Sequence, residues 1–419
     1  MCTCLLAGKN ATAYGTVLLG ANDDWSGVPG ILTRKNGGSH APGEQYRLVG
    51  GRTIPQAVVT FGYSYTACKY DIGILDRGWA GGVNDNQVAV AGTGASAFKM
   101  LPCDENWLEP DDVPLLILER ARTAREGIRL VGDLIRQHGF RPSGLDECRS
   151  MCCFAVADPE EGWWLEMAPG DHWVAVRVPD GEASVRENAY GIHDADLTDR
   201  ENVMCSEGLA EFARDRGWWN GDPRHFDFAA AYGAEESPNE WGPELDPMNM
   251  RRRWRAMCLL SGHDTPEDAL LYSVTPDRKL TVEDFKAVLR DTYEGTAYDL
   301  SKAPGAGMYG DPFHDDPPSY SLCRDWTVAS IAVRLRREGP GTMWTCMANP
   351  RIGFYFPVFT GISGLPAACE NAAPGVPEAP SLFWAFRELA FLTQRRYARY
   401  IPTVREAQAR YEAESETLE

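Results

Sequence analysis

A cysteine stands directly behind the start methionine, in the opening "MCTCLLAG". Methionine removal works when the next residue is small, and cysteine is small, so the mature chain is expected to begin at Cys2. That residue would carry a thiol and a free α-amine together. An α-amine, with a pKa near about 7.7–8.0, is partly neutral at physiological pH and accepts a proton. A thiol attacks carbonyl carbon once it is deprotonated. A terminal nucleophile activated by its own amine is an established route of covalent catalysis. The second element is the run Asn22-Asp23-Asp24-Trp25. Apolar runs at 2–8 and 14–20 flank the turn formers Gly8-Lys9-Asn10-Ala11-Thr12, which reads as a β-hairpin. The hairpin returns the end of its second strand beside Cys2, where Asp24 is placed to orient the amine and hold its charged form. Taken singly, Cys2 reads as an idle thiol and Asp24 as part of a solvated turn. Only their juxtaposition suggests chemistry.

Other residues offer less. Cys148-Arg149-Ser150-Met151-Cys152-Cys153 is the densest cysteine cluster. A tetrahedral metal site needs a second cysteine pair or histidines, and neither accompanies it, so no metal is expected. The seven histidines are scattered, with none in H-x-x-x-H spacing. "GAGMYGD" at 305–311 lacks the strand and the GK[ST] of a phosphate loop. No cofactor is implied. The net charge of −19 over 419 residues repels nucleic acid and anionic membrane surfaces. No stretch approaches the roughly 18 apolar residues of a membrane span, and no secretory signal is visible. The twelve cysteines are spread along the chain and read as reduced residues of a cytoplasmic protein.

The elements that would position Cys2 come in blocks of strands and blocks of helices, which favours an α+β fold with largely antiparallel sheets. Residues 29–56 read as a loop with short strands, and 88–92 as a buried strand behind the turn at 82–87. The apolar spacing of 113–138 predicts two helices ending at Gly139. Residues 152–157 and 163–167 read as a hairpin, with 172–178 and 183–187 continuing its sheet. Helices are predicted over 206–216, 250–260 and 282–292. Strands are predicted over 326–334, 342–347 and 353–360. The stretch 364–380 reads as a loop, and 381–411 as one long helical segment.

The opening "CTCLLAGKNATAYGTVLLGANDDW" resembles the start of the C69 dipeptidases, the dipeptidase A and secernin group of the N-terminal nucleophile (Ntn) hydrolases, alongside penicillin V acylase and bile salt hydrolase. The resemblance continues through "WAGGVNDNQVAVAGTGAS", "LILERARTAREGIRLVGDLI", "FAVADPEEGWWLEMAPGDHWVAVRVPDGEASVREN", "MRRRWRAMCLL" and "DTYEGTAYDLSKAP", and runs from Cys2 to about residue 395. It implies a four-layer αββα sandwich over 2–395, with 396–419 as a helical tail. It implies a dipeptidase in which Cys2 attacks the amide, its amine serves as base, and Asp24 contacts that amine. The strand end at Thr93-Gly94 would form one side of an oxyanion hole and Asn188 would supply a side-chain donor. Arg252 or Arg255 would support the nucleophile; spacing does not choose between them.

The sequence departs from the family at Ala21, where an arginine or lysine usually precedes the Asn-x-Asp element. Arg34 is the candidate replacement. The departure keeps two alternatives open: a hydrolase of acyl or bile-acid amides, and a secernin-like binding protein. The implied partner is a small peptide, with no nucleic acid or membrane partner, and homo-oligomerisation is plausible for the family.

Overall fold

Alternation along the first two strands decides which side chains meet. In β1 (Thr3–Ala7) and β2 (Leu18–Asp24), paired antiparallel with Thr3 opposite Asn22 and Ala7 opposite Leu18, successive side chains face opposite ways. Cys4, Leu6, Leu19 and Ala21 enter one core cluster, while Leu5, Ala7 and Leu18 enter another. A strand pair apolar on both faces must lie inside the protein, covered on each side. The computed structural model describes residues 2–68, 77–95, 98–142, 150–234, 247–269, 271–314, 320–371 and 380–418.

The strands continue with β3 (Gly30–Lys35), β4 (Gly38–Ser39), β5 (Gln45–Arg47), β6 (Thr53–Pro55), β7 (Val59–Thr60), β8 (Tyr63–Cys68), β9 (Arg77–Asn84) and β10 (Ala89–Ala95). Beyond them lie β11 (Ser150–Ala157), β12 (Gly162–Ala168), β13 (His172–Arg177), β14 (Ala183–Arg186), β15 (Val203–Cys205), β16 (Thr327–Arg334), β17 (Thr342–Met347) and β18 (Phe356–Phe359). One sheet has the order β14-β1-β2-β16-β17-β18, the other β15-β13-β12-β11-β10-β9-β8-β3. Pairing in both is antiparallel.

The sheets pack face to face. At one close approach lies Gly81 of β9, with φ +144, where an added Cβ would stand 2.9 Å from Ile331 Cδ1 of β16 in the facing sheet. Helices Asp112–Arg120 and Ala124–His138 cover the outside of the larger sheet, and helices Pro247–Ser261 and Val282–Leu289 the outside of the smaller. The second of these illustrates why they form. Thr123 Oγ1 accepts the Glu126 N–H at 3.1 Å, Ile128, Val131, Leu134 and Ile135 are buried at helical spacing, and Gly139 ends the helix at φ +70. The result is the expected α+β sandwich of four layers, αββα. Among the described residues no helix is long and apolar enough to cross a membrane.

Three expectations change. Strand 183–186 does not continue the sheet of 172–177: β14 crosses to pair with β1 in the other sheet. Residues 29–56 hold β3, an edge strand of the larger sheet, besides short ribbon strands. The C-terminal segment is two helices, Leu382–Gln394 and Tyr397–Glu416. The second is tied down where Gln408 Nε2 donates to Arg351 O at 2.9 Å and Glu412 accepts the Tyr355 N–H at 2.8 Å. The stretch 364–371 contains a short helix, Ala367–Glu370; residues 372–379 of the expected loop lie outside the described residues.

Candidate active site

Cys2 precedes β1 and shares the parity of Cys4 and Leu6, so its side chain turns toward the larger sheet. Across the hairpin, Asp23 has the same orientation. Cys2 Sγ donates to Asp23 Oδ1 at 3.5 Å, and Cys68 Sγ, at the end of β8, donates to Asp23 Oδ2 at 3.4 Å. Both Cys2 and Asp23 are buried. Burial pushes the Cys2 thiol up to about 12, and the Asp23 and Asp24 carboxylates push the same way. The resting thiol is therefore neutral. The Arg252 guanidinium donates to Cys2 O and Thr3 Oγ1, and a base must remove the thiol proton.

Thr3, Asn22 and Asp24 face the helices instead. Asn22 Nδ2 donates to Leu289 O and Leu322 O at 2.8 and 2.7 Å. Asp24 Oδ1 accepts from Thr327 Oγ1 at 2.6 Å, and Arg324 Nε lies 3.4 Å from Asp24 Oδ2. Burial raises the Asp24 carboxyl above the usual range, with Arg324 opposing it. Burial, with Arg252 nearby, brings the Arg324 guanidinium down to about 10. Replacing Arg324 with leucine would leave Asp24 buried without its nearest guanidinium. Breaking a buried pair from one side costs about 3–5 kcal/mol, so Arg324→Leu should lower the unfolding free energy measured in urea by that amount, and Asp24→Asn in the same chain should recover most of it.

Arg252, on helix Pro247–Ser261, is fully buried and joins the remaining parts. Its Nη1 donates to Cys2 O at 2.8 Å and to Thr3 Oγ1 at 3.0 Å. Its Nη2 donates to Asn188 Oδ1 at 2.9 Å and to Asn249 Oδ1 at 2.7 Å. Asn188 Nδ2 in turn donates to Thr93 Oγ1 at 3.2 Å and Gly94 O at 3.1 Å. Thr93 Oγ1 reaches Cys2 O at 3.4 Å and Glu187 O at 3.1 Å. The β10–β11 register shifts between Thr93 and Gly94, leaving Cys152 as the extra residue opposite them. Such a bulge re-aims a strand end.

Buried ion pairs fix the chain around Asn188. Arg186 Nε meets Glu166 Oε1 at 3.1 Å, the same oxygen accepts the Gly191 N–H at 2.8 Å, and Arg253 Nε donates to Glu187 Oε1 at 2.9 Å. Residues far apart in sequence thus converge on the chain's second residue.

A family model described as peptidase family C69 matches residues 1–410. The chain belongs to peptidase family C69. A probable dipeptidase A from Streptococcus pyogenes serotype M3 is 26% identical over 415 residues, covering 94% of this chain and 83% of the relative. A dipeptidase from Bifidobacterium longum is 27% identical over 434 residues, covering 93% of this chain and 76% of the relative. Among solved structures, the C2A mutant of conjugated bile acid hydrolase from Clostridium perfringens aligns with a TM-score of 0.42 at 12% identity, over 87% of this chain and 97% of that one.

In this C69 chain, the two arginines meet different surroundings. Arg255 is turned away from Cys2: it pairs with Asp291 at 3.0 and 2.7 Å and donates to Glu294 O at 2.9 Å. It lies three residues from Arg252, nearly a helical turn away, but meets different partners. Arg34 does not replace the cation missing at Ala21 either. Its guanidinium is engaged by Asp85 at 2.9 and 2.7 Å, while Ala21 is packed in the inter-sheet core. The nearby cation is Arg324, approaching Asp24 from the other face.

Asp299 Oδ1 accepts the Ser301 N–H at 3.1 Å, and Tyr298 hydroxyl donates to Glu267 at 2.7 Å. Among the described residues no group of three or more His, Cys, Asp or Glu is arranged to hold a metal ion; Cys148 lies outside the described residues.

Three residues beside the site went unassigned in the sequence: Asp23, Cys68 and Arg324. Strand parity was the available signal for Asp23, since residue 23 faces as residue 21 does and residue 24 does not. Cys68 and Arg324 stand at strand ends far from Cys2 in sequence, and no local pattern marks them.

Proposed function

We propose that this C69 peptidase is a cysteine-type dipeptidase whose nucleophile is Cys2, exposed as the amino terminus by loss of Met1. The observation that carries the reading is the Arg252 guanidinium, which holds the Cys2 carbonyl and Asn188 Oδ1 together. The dipeptidase names of its curated relatives support the substrate class.

The Cys2 α-amine takes the Sγ proton, and the sulfur attacks the amide carbonyl carbon. Negative charge develops on the carbonyl oxygen. Asn188 Nδ2, on giving up its bond to Gly94 O, and a backbone N–H at the Thr93–Gly94 bulge are the donors for it, because Asn188 is held in place by Arg252 and borders the bulge. Donors fixed in advance are worth most where water is excluded. The protonated amine then gives its proton to the leaving amine, and a thioester remains. Water, deprotonated by the same amine, hydrolyses it. Asp24 acts on the amine through its charge while Arg324 and Thr327 fix its carboxylate. Arg252 positions the Cys2 backbone and does not itself activate the sulfur.

We place the protein in the cytoplasm with short peptides as its partners. The decisive experiment pairs intact mass with labelling. The active preparation should lack Met1, and iodoacetamide should inactivate it in step with modification of Cys2. Full dipeptide hydrolysis by a chain that retains Met1 would sink the reading.

A further inference from the structure

We propose that the Asp23 carboxylate receives the free α-ammonium of the substrate's first residue, making an unblocked amino terminus the specificity requirement of this site. The inference rests on the reading of Cys2 as nucleophile.

Buried carboxylates are normally matched by a cation. Asp23 is fully buried, yet its hydrogen-bond partners are two neutral thiols, Cys2 Sγ at 3.5 Å and Cys68 Sγ at 3.4 Å. Among the described residues no lysine or arginine pairs with it. Asp24, one position along, does have such a partner in Arg324. Burial pushes the Asp23 carboxyl up to about 6, with the chain's terminal amine opposing the rise. In its ionised form Asp23 is a buried negative charge. The terminal amine does not balance that charge in the reacting state, because an amine serving as a base is neutral when it takes the thiol proton.

The geometry of peptide attack supplies the missing cation. A near-attack sulfur stands roughly 3–3.5 Å from the carbonyl carbon. In a dipeptide, the α-nitrogen of the first residue is only two bonds beyond that carbon, about 2.5 Å away. A free dipeptide that brings its carbonyl to Cys2 Sγ with its α-nitrogen turned to the Asp23 side places its ammonium within reach of an oxygen 3.5 Å from the same sulfur. Loss of the thiol proton removes the Cys2 hydrogen bond from Asp23 Oδ1, freeing that oxygen as attack begins. An N-acyl group replaces the ammonium with a neutral amide and leaves the carboxylate unmatched. Binding a buried charge without its partner is strongly unfavourable.

The test compares alanyl-alanine with N-acetyl-alanyl-alanine on the mature enzyme and on Asp23→Asn, which keeps the side-chain shape. Wild type should favour the free dipeptide by about 100-fold or more in kcat/KM, a factor in keeping with loss of a charged partner. Asp23→Asn should lose most of that preference, with the acetylated substrate changing less than about threefold. In parallel, calorimetry on Cys2→Ala should detect binding of the free dipeptide, and adding Asp23→Asn should abolish it. An equal fall of both substrates would assign Asp23 to the nucleophile's own amine and overturn the proposal. So would a wild type that hydrolyses the acetylated dipeptide as well as the free one, an outcome that leaves Cys2 catalysis standing. Turnover of neither substrate by wild type overturns the dipeptidase reading and this inference together.

Discussion

Cys2→Ala is expected to reduce dipeptide turnover by a factor on the order of 10⁴–10⁶, leaving only what binding and oxyanion stabilisation supply. Alanine is small enough for Met1 still to be removed, so the variant keeps the terminal amine and loses only the thiol. The fold should survive, because the strand pairing of β1 begins at Thr3, beyond the altered side chain. Cys4 offers no rescue. It is fully buried in the core and carries no free amine. The complementary chain, with one alanine inserted between Met1 and Cys2, keeps the thiol and moves the amine to the wrong residue. It too should be inactive if the amine is the base. Wild-type rates from either chain would end the mechanism, and circular dichroism on both separates lost chemistry from lost fold.

Arg252→Met should combine the next largest loss of activity with a measurable loss of stability. Methionine fills a similar buried length but donates nothing. Cys2 O, Thr3 Oγ1, Asn188 Oδ1 and Asn249 Oδ1 each lose a hydrogen bond that the guanidinium makes now. A buried polar group left without its partner costs about 1–3 kcal/mol, so even with relaxation the loss should exceed about 3 kcal/mol. Asn188 would no longer be held beside the bulge, and a misplaced oxyanion donor typically costs about 10²–10³ in kcat. Arg252→Lys should recover part of the stability and little of the rate. A single ammonium reaches one or two of these acceptors, whereas the planar fork reaches all of them. The measurements are urea unfolding and kcat on a dipeptide. A methionine variant with the wild-type midpoint and kcat would show that the cluster is incidental.

The hairpin that returns β2 to the amino terminus was legible because apolar runs flank a cluster of turn formers. Helix 124–138 was legible because its cap, its apolar spacing and its terminal glycine agree. Which sheet a strand joins was less legible. Residues 183–186 follow 172–177 with a short connection, the usual sign of neighbours in one sheet, yet β14 crosses to β1 and so carries Asn188 to Cys2. Pairing partners are set by packing over the whole molecule, which a local pattern does not encode. The arginines show the same limit. Arg252 and Arg255 share a helix and a composition, and only the surroundings of that helix distinguish them. The carboxylates show what closer reading offers. Period-two alternation alone puts Asp23 on the side of Cys2 and Asp24 on the side of the helices.

The first residues of most domains fray; here they are among the most constrained. β1 is an interior strand between β14 and β2, and the carbonyl of Cys2 is gripped by Arg252. This has a practical consequence for handling the molecule. On the proposed mechanism the amino terminus is unavailable as an attachment point: an affinity tag, a fluorescent label or a fused partner placed there would occupy the reaction centre itself. At the opposite end Leu418, beyond helix Tyr397–Glu416, is exposed, and a handle placed there should be tolerated.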